Sequence, residues 1–164
     1  MKVKKLKTSF LNFNEKLISK NALKVIKTLK TNGFQAFLVG GCVRDLLISI
    51  TPKDFDVATN ATPNNIKRIF KNCKLIGRRF RLAHIRYGRE IIEVSTFRSA
   101  SMPSNRNVVM DHTGRIIRDN EFGSVEDDAI RRDFRCNALY YDPIKKKIWD
   151  FTGGLDDIQQ KNLV

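Results

Sequence analysis

The stretch LVGGCVRDLLISITPKDFDVATNATP, Leu38 to Pro63, decides the fold. A short apolar run over Phe34 to Val39 breaks at Gly40-Gly41. An apolar face then resumes over Val43 to Ile50, so the order is strand, glycine turn, helix. Pro52 stops that helix, and Asp54 to Ala58 reads as a second strand. Thr62-Pro63 supplies an N-cap and a first-turn proline for a helix running through Phe70. On a strand, alternation places Asp54 and Asp56 on one face and Phe55 and Val57 on the other.

Working outward, Asn14 to Thr31 carries apolar residues at helical spacing and ends at Asn32-Gly33, a left-handed stop. Residues 1–13, rich in lysine, read as a loose basic arm. Downstream, Lys74 to Ile76, Leu82 to Tyr87 and Glu90 to Phe97 read as strands, the last two joined at Tyr87-Gly88-Arg89. Arg98 to Phe122 lacks periodicity and reads as a long functional loop. Ser124 with Asp127 resembles a capping box that opens a helix towards Cys136, and a hairpin around Asp142-Pro143 follows. The pattern predicts an α/β (α+β) domain with a mixed, mostly antiparallel sheet flanked by helices.

The chain of 164 residues is about one domain's worth. Its 31 basic against 17 acidic residues leave a net charge of +14, which points to a polyanion such as RNA or nucleotide phosphate and against cationic small molecules. Three cysteines without paired spacing predict free thiols in a reducing, cytoplasmic compartment. No apolar run approaches the ~18 residues of a membrane span, and the basic start lacks the apolar stretch of a signal peptide.

Three dense elements carry chemistry. Asp54 and Asp56 offer hard oxygen ligands, and Mg²⁺ takes one or two carboxylates together with substrate phosphates. Alone the Asp-x-Asp pattern also suits a turn. Glu93, in the apolar strand Ile91 to Val94, adds a third carboxylate. Gly40, Gly41 and Arg44 stand at a strand-to-helix turn, where glycine admits close backbone approach and free N–H groups face phosphate. Arg132, Asp133 and Asn137 lie in RRDFRCNAL, and helical spacing puts Asp133 and Asn137 on one face, ready to bond a ribose. A solvated helix face would look the same.

In order, LVGGCVRDLL (Leu38 to Leu47), PKDFDVATNATP (Pro52 to Pro63), IIEVSTFR (Ile91 to Arg98) and RRDFRCNALYYD (Arg131 to Asp142) resemble the head domain of the bacterial poly(A) polymerase and CCA-adding tRNA nucleotidyltransferase family, within the polymerase-β-like superfamily. The resemblance implies that Asp54 and Asp56 are catalytic ligands of two Mg²⁺ ions, and Glu93 is added as a catalytic carboxylate chiefly from its strand position. It implies that Gly40, Gly41 and Arg44 contact the triphosphate of an ATP substrate, and that Arg132, Asp133 and Asn137 bind nucleotide. LIGRRFRLAH (Leu75 to His84) looks like the poly(A) polymerase signature. Arg78, Arg79 and Arg81 are then RNA contacts, and His84 is read as a strand residue. Two positions depart from the family pattern: Ser49 replaces a usual glycine, and Arg135-Cys136 replaces a threonine and an aliphatic residue.

The expected organisation is the arm over 1–13 and a nucleotidyltransferase head over 14–164, without the family's neck, body and tail domains. The expected activity is addition of AMP from ATP to RNA 3′ ends with pyrophosphate release. The partners are nucleoside triphosphate and the 3′ ends of mRNA or tRNA, with no membrane. CCA addition to tRNA is the first alternative. A catalytically silent RNA-binding remnant is the second.

Overall fold

A computed structural model describes residues 3–78, 80–100, 108–110, 116–119 and 122–162, the side chains of 108–110 and 116–119 excepted. In chain order the strands are β1 (Lys4–Lys7), β2 (Ala36–Val39), β3 (Asp56–Thr59), β4 (Cys73–Ile76), β5 (Leu82–Tyr87), β6 (Glu90–Thr96), β7 (Val108–Met110), β8 (Ile116–Asp119), β9 (Leu139–Asp142) and β10 (Lys147–Asp150). The helices are α1 (Lys20–Thr31), α2 (Gly41–Leu47), α3 (Pro63–Ile69), α4 (Val125–Ile130) and α5 (Gly154–Gln160). Eight strands form one sheet in the order β1-β10-β9-β2-β3-β6-β5-β4, and β7 pairs with β8 apart from it. Within the large sheet β3 and β6 run parallel and every other neighbouring pair is antiparallel, the mixed sheet expected.

Local chemistry explains the helices. Ser19 accepts hydrogen bonds from the backbone N–H groups of Asn21 and Ala22 at the start of α1, whose Ala22, Val25, Ile26 and Leu29 are buried at helical spacing. The helix ends at Asn32, followed by Gly33 at φ 85°, where a left-handed residue closes the turn. Thr62 caps α3 by accepting from the Asn65 N–H, with Pro63 in the first turn.

All four residues of β2 are buried, so the sheet is covered on both sides there. Leu38 faces a large core shared with α1, α2 and α3, through Val25, Val43 and Ile66 among others. Phe37 and Val39 face a smaller core of Ala58, Phe97, Ala129, Tyr140 and Phe151, rich in edge-on aromatic contacts. At the β6-β5-β4 end the first face stays packed through Ile92, Val94, Ala83 and Ile85. The second face there carries Glu93, His84, Lys74 and Arg86 instead, none of them buried.

Several expectations need correction. Where composition predicts a loose arm over 1–13, Lys4–Lys7 is an edge strand paired antiparallel to β10 from Lys4↔Asp150 to Lys7↔Lys147. Lys5 Nζ lies 3.8 Å from the centre of the Trp149 ring, a cation–π contact that only the folded sheet supplies. β3 begins at Asp56, not Asp54, because Val39, the last residue of β2, pairs with Asp56 and leaves Asp54 without a strand partner. The aperiodic 98–122 segment includes the β7–β8 hairpin. The helix from Ser124 stops at Ile130, and Arg135–Asn137 is a separate 3₁₀ turn. Asp133 contributes to that break, since its carboxylate accepts the Phe134 N–H at 2.9 Å, a local bond that competes with helix continuation. Ser49, where the family pattern favours glycine, stands at φ 61°, in the left-handed region that pattern anticipates.

Candidate active site at the ends of β2 and β3

Gly40 joins β2 to α2 at φ 81° and ψ −150°, a conformation essentially restricted to glycine. A Cβ there would stand 3.5 Å from Asp56 Oδ2 and 3.9 Å from Arg132 Nη1, so bare backbone lies against a carboxylate and a guanidinium at once. A turn later, Arg44 donates from Nη1 to Asn137 Oδ1 (2.9 Å) and from Nη2 and Nε to Asp45 Oδ1 (2.7 and 3.0 Å). A Cβ on Gly41 would lie 3.3 Å from Arg44 Nη2. The small residue lets Arg44 fold back over the turn.

Asp56 and Glu93 are register partners on the parallel strands β3 and β6. Burial pushes the Asp56 carboxyl up to about 6, and the charges of Glu93 and Asp54 add to the rise while Arg132 opposes it. Asp54 is exposed and precedes the strand, yet its charge is felt at Asp56. Glu93 Oε2 lies 3.1 Å from His84 Nε2 on β5. His84 is thus a strand residue, as expected, and also a partner of the third carboxylate.

Arg132 is held by residues that the motif reading passed over. It donates from Nε to the Tyr140 hydroxyl (3.0 Å) and from Nη2 to Asp128 Oδ2 (3.1 Å), and the Tyr140 hydroxyl donates to the same oxygen (2.7 Å). Asp128 Oδ1 accepts from Arg131 Nη2 (2.8 Å) and from the Arg98 N–H (3.2 Å). Asp128 is buried; that burial alone would raise its carboxyl, but Arg132, the Tyr140 hydroxyl and Arg131 outweigh it and hold the group below the ordinary value. The signal was present in sequence as an acid four residues ahead of Arg132 on a helix, a spacing shared with many plain surface pairs.

The structure therefore gathers Gly40, Asp56 and Arg132, sets Glu93 beside Asp56, and ties Arg44 to Asn137 next to Gly41. It does not place Asp133 on a helical face with Asn137: Asp133 is exposed in the turn after α4 and bonded to its own chain. Arg78 is exposed and Arg81 half-buried in the connection from β4 to β5, and Arg79 lies outside the described residues.

Among the described residues no three acidic, histidine or cysteine side chains are drawn together as a ready cation cage. Magnesium does not require one, because it takes one or two carboxylates and completes its shell with substrate phosphate and water. The half-buried Asp56, whose carboxyl is pushed up beside two further acids, has the uncompensated negative charge that such an ion would neutralise. The donor set fits the group.

A family model described as the poly A polymerase head domain matches residues 36–164. The chain belongs to the poly(A) polymerase head-domain family. It is 51% identical over 150 residues to poly(A) polymerase I of Salmonella typhi, covering 90% of this chain and 32% of that protein. It is 37% identical over 138 residues to a CCA-adding enzyme of Oceanobacillus iheyensis, covering 84% of this chain and 32% of the relative. Among solved structures, the Bacillus stearothermophilus CCA-adding enzyme in complex with CTP superposes with a TM-score of 0.68 at 30% identity, over 87% of this chain and 32% of that one. The chain spans about a third of the length of the relatives it matches. The head-domain fold is the mixed α+β architecture described above, and it is shared across both branches of this nucleotidyltransferase family.

Proposed function

We propose that this head transfers AMP from ATP to the 3′-hydroxyl of an RNA, with release of pyrophosphate. The observation that carries the reading is the meeting of Asp56 and Arg132 at the bare backbone of Gly40, within a head domain half identical to a poly(A) polymerase. In the reaction the RNA 3′-oxygen forms a bond to the α-phosphorus and the bond from that phosphorus to the bridging oxygen breaks. The hydroxyl proton passes to solvent, and the electron pair leaves with pyrophosphate.

Asp54 and Asp56 would hold two Mg²⁺ ions, with Glu93 beside them, and bound magnesium would lower the cost of ionising the attacking hydroxyl and of charge on the leaving group. Gly40 and Gly41 admit the triphosphate close to the backbone, and Arg44 offers it a charge-assisted contact. Arg132, oriented by Asp128 and Tyr140, lies against Gly40 at the same turn. Asn137 and the exposed Asp133 are available to the ribose. Arg78, Arg79 and Arg81 supply positive charge to RNA. The three buried free thiols fit work in the reducing cytoplasm.

The test is incubation with labelled ATP or CTP, Mg²⁺, and either an unstructured RNA or a tRNA lacking its terminal CCA. ATP incorporation into unstructured RNA is expected, and Asp54→Ala or Asp56→Ala should each reduce it more than ~100-fold, the scale of losing a principal electrostatic stabiliser. CTP and ATP incorporation confined to the tRNA would transfer the head to the CCA-adding branch, which the 37% identical relative keeps open. RNA binding without any transfer would mark a silent remnant.

A further inference from the structure

The row of side chains that begins at Asp56 continues across the open end of the sheet. Asp56 pairs with Glu93, Glu93 with His84, and His84 with Lys74, each on the next strand. Neighbouring strands are about 4.8 Å apart, which places Lys74 about 14 Å from Asp56. Arg86 shares this face with His84, and its register partner is Ile91. The intervening residues Ala83, Ile85, Ile92 and Val94 point the other way, into the large core. The result is a groove, open to solvent, whose lining includes Asn72, Lys74, Ile76, His84, Arg86 and Ile91, with Glu93 bonded to His84 at its edge.

Its chemistry is specific in sign. Lys74 and Arg86 are exposed, and among the described residues neither has an acidic partner. Glu93, at the inner end, is engaged by His84. Glu90 is on the opposite face, where it takes the Asn21 side-chain amide. Flanking the cations, Ile76 two residues beyond Lys74 on β4 and Ile91 opposite Arg86 on β6 present apolar surface, 40% and 36% exposed. Phosphates spaced along one flexible strand suit two such cations, and riboses or bases suit the isoleucines on either side of them.

We propose that this groove seats the single-stranded 3′ segment of the RNA that receives the nucleotide, with Lys74 and Arg86 on its phosphates and its 3′ end directed along the row to Asp56. The proposal rests on the nucleotidyl-transfer reading above for the direction of the strand. It adds a binding surface separate from the arginines between β4 and β5.

The experiment measures binding of a 5′-labelled oligoadenylate by fluorescence anisotropy over a range of salt, for the wild-type chain, for Lys74→Glu with Arg86→Glu, and for Lys20→Glu with Lys27→Glu. The second pair makes the same change in net charge on exposed positions of α1, which covers the opposite face. The groove pair is expected to weaken binding at least tenfold at low salt and to reduce the slope of log K against log salt by about 1.4, two contacts at ~0.7 each. The α1 pair should change affinity less than threefold. Equal losses in the two pairs, or an unchanged slope in the groove pair, overturns the proposal. Lys74→Gln with Arg86→Gln gives the same slope change without charge reversal if the glutamates unfold the chain. Calorimetry with ATP separates the two readings: groove-dependent RNA binding without ATP binding leaves the groove and removes the transferase, and ATP binding with groove-independent RNA binding does the reverse.

Discussion

Asp56 has a folded-state carboxyl raised to about 6 by burial, Glu93 and Asp54, so this group favours the fold while protonated and costs stability once ionised. Its contribution is fully present below the unfolded value near 3.9 and is lost as pH rises through 6. Asp56→Asn removes the charge and should raise stability at pH 7.5, without metal, by about 1 to 3 kcal/mol, since each tenfold change in proton affinity between the folded and unfolded chain is worth at most ~1.4 kcal/mol. The gain should fade to nothing below about pH 4. Thermal melts of both proteins in EDTA across that pH range check it, and equal melting temperatures at pH 7.5 would show that Asp56 carries no such cost. Mg²⁺ with ATP should raise the melting temperature of the wild type more than that of the variant, since a ligand stabilises only the state that binds it.

At the scale of elements, α4 owes its place to Asp128, whose two oxygens collect Arg131, Arg132, Tyr140 and the Arg98 backbone. Asp128→Ala leaves the Arg132 guanidinium and the Tyr140 hydroxyl short of a partner beneath the site. Breaking a buried ion pair from one side costs about 3 to 5 kcal/mol. Urea denaturation at pH 7 should show a loss of that order, accompanied by weaker ATP binding through the released Arg132. Because the Asp128 carboxyl is held low, its contribution exists above the unfolded value near 3.9 and disappears as pH falls through the lower folded value, so the variant's deficit should shrink in acid. A deficit that stays constant down to pH 3 would contradict the charge-pair account. The apolar spacing and glycine stop of α1 and the cap of α3 were legible in sequence, but the start of α1 was not: the helix begins at Lys20 instead of Asn14, after a separate 3₁₀ turn over Glu15–Leu17. The end of α4 was not legible either, because Asp133 bonding its own backbone is a competition between two local options that periodicity cannot rank.

For the whole molecule, the two cores lie on opposite faces of one eight-stranded sheet and share strands β2, β3 and β9. Neither face can open without exposing the other, so unfolding should be one cooperative transition. Trp149, the single tryptophan, packs beside the smaller core, whereas α1 and α3 on the other face dominate the helical circular dichroism. Denaturation followed by tryptophan fluorescence and by circular dichroism at 222 nm should give coincident midpoints. An earlier fluorescence transition would mean that the smaller core, with β1 and β10, comes apart first.

What the sequence by itself determined was the order of elements around Leu38 to Pro63, the α/β class, the glycine turn, and the acids and arginines that the structure gathers near that turn. Those depend on nearest-neighbour physics: glycine's positive φ at Gly40, the period of buried residues, the proline and threonine that begin α3. Tertiary structure alone decided the rest. Lys4–Lys7 became a strand because β10 offered it an edge and Trp149 a ring for Lys5. Asp54 fell outside β3 because Val39, its would-be partner strand's last residue, was already opposite Asp56. Tyr140 became the second partner of Asp128, and His84 the partner of Glu93, because residues 12 and 9 positions apart in the chain were brought within hydrogen-bond distance. A one-dimensional pattern records which residues can bury or bond. It does not record which distant backbone will supply the partner.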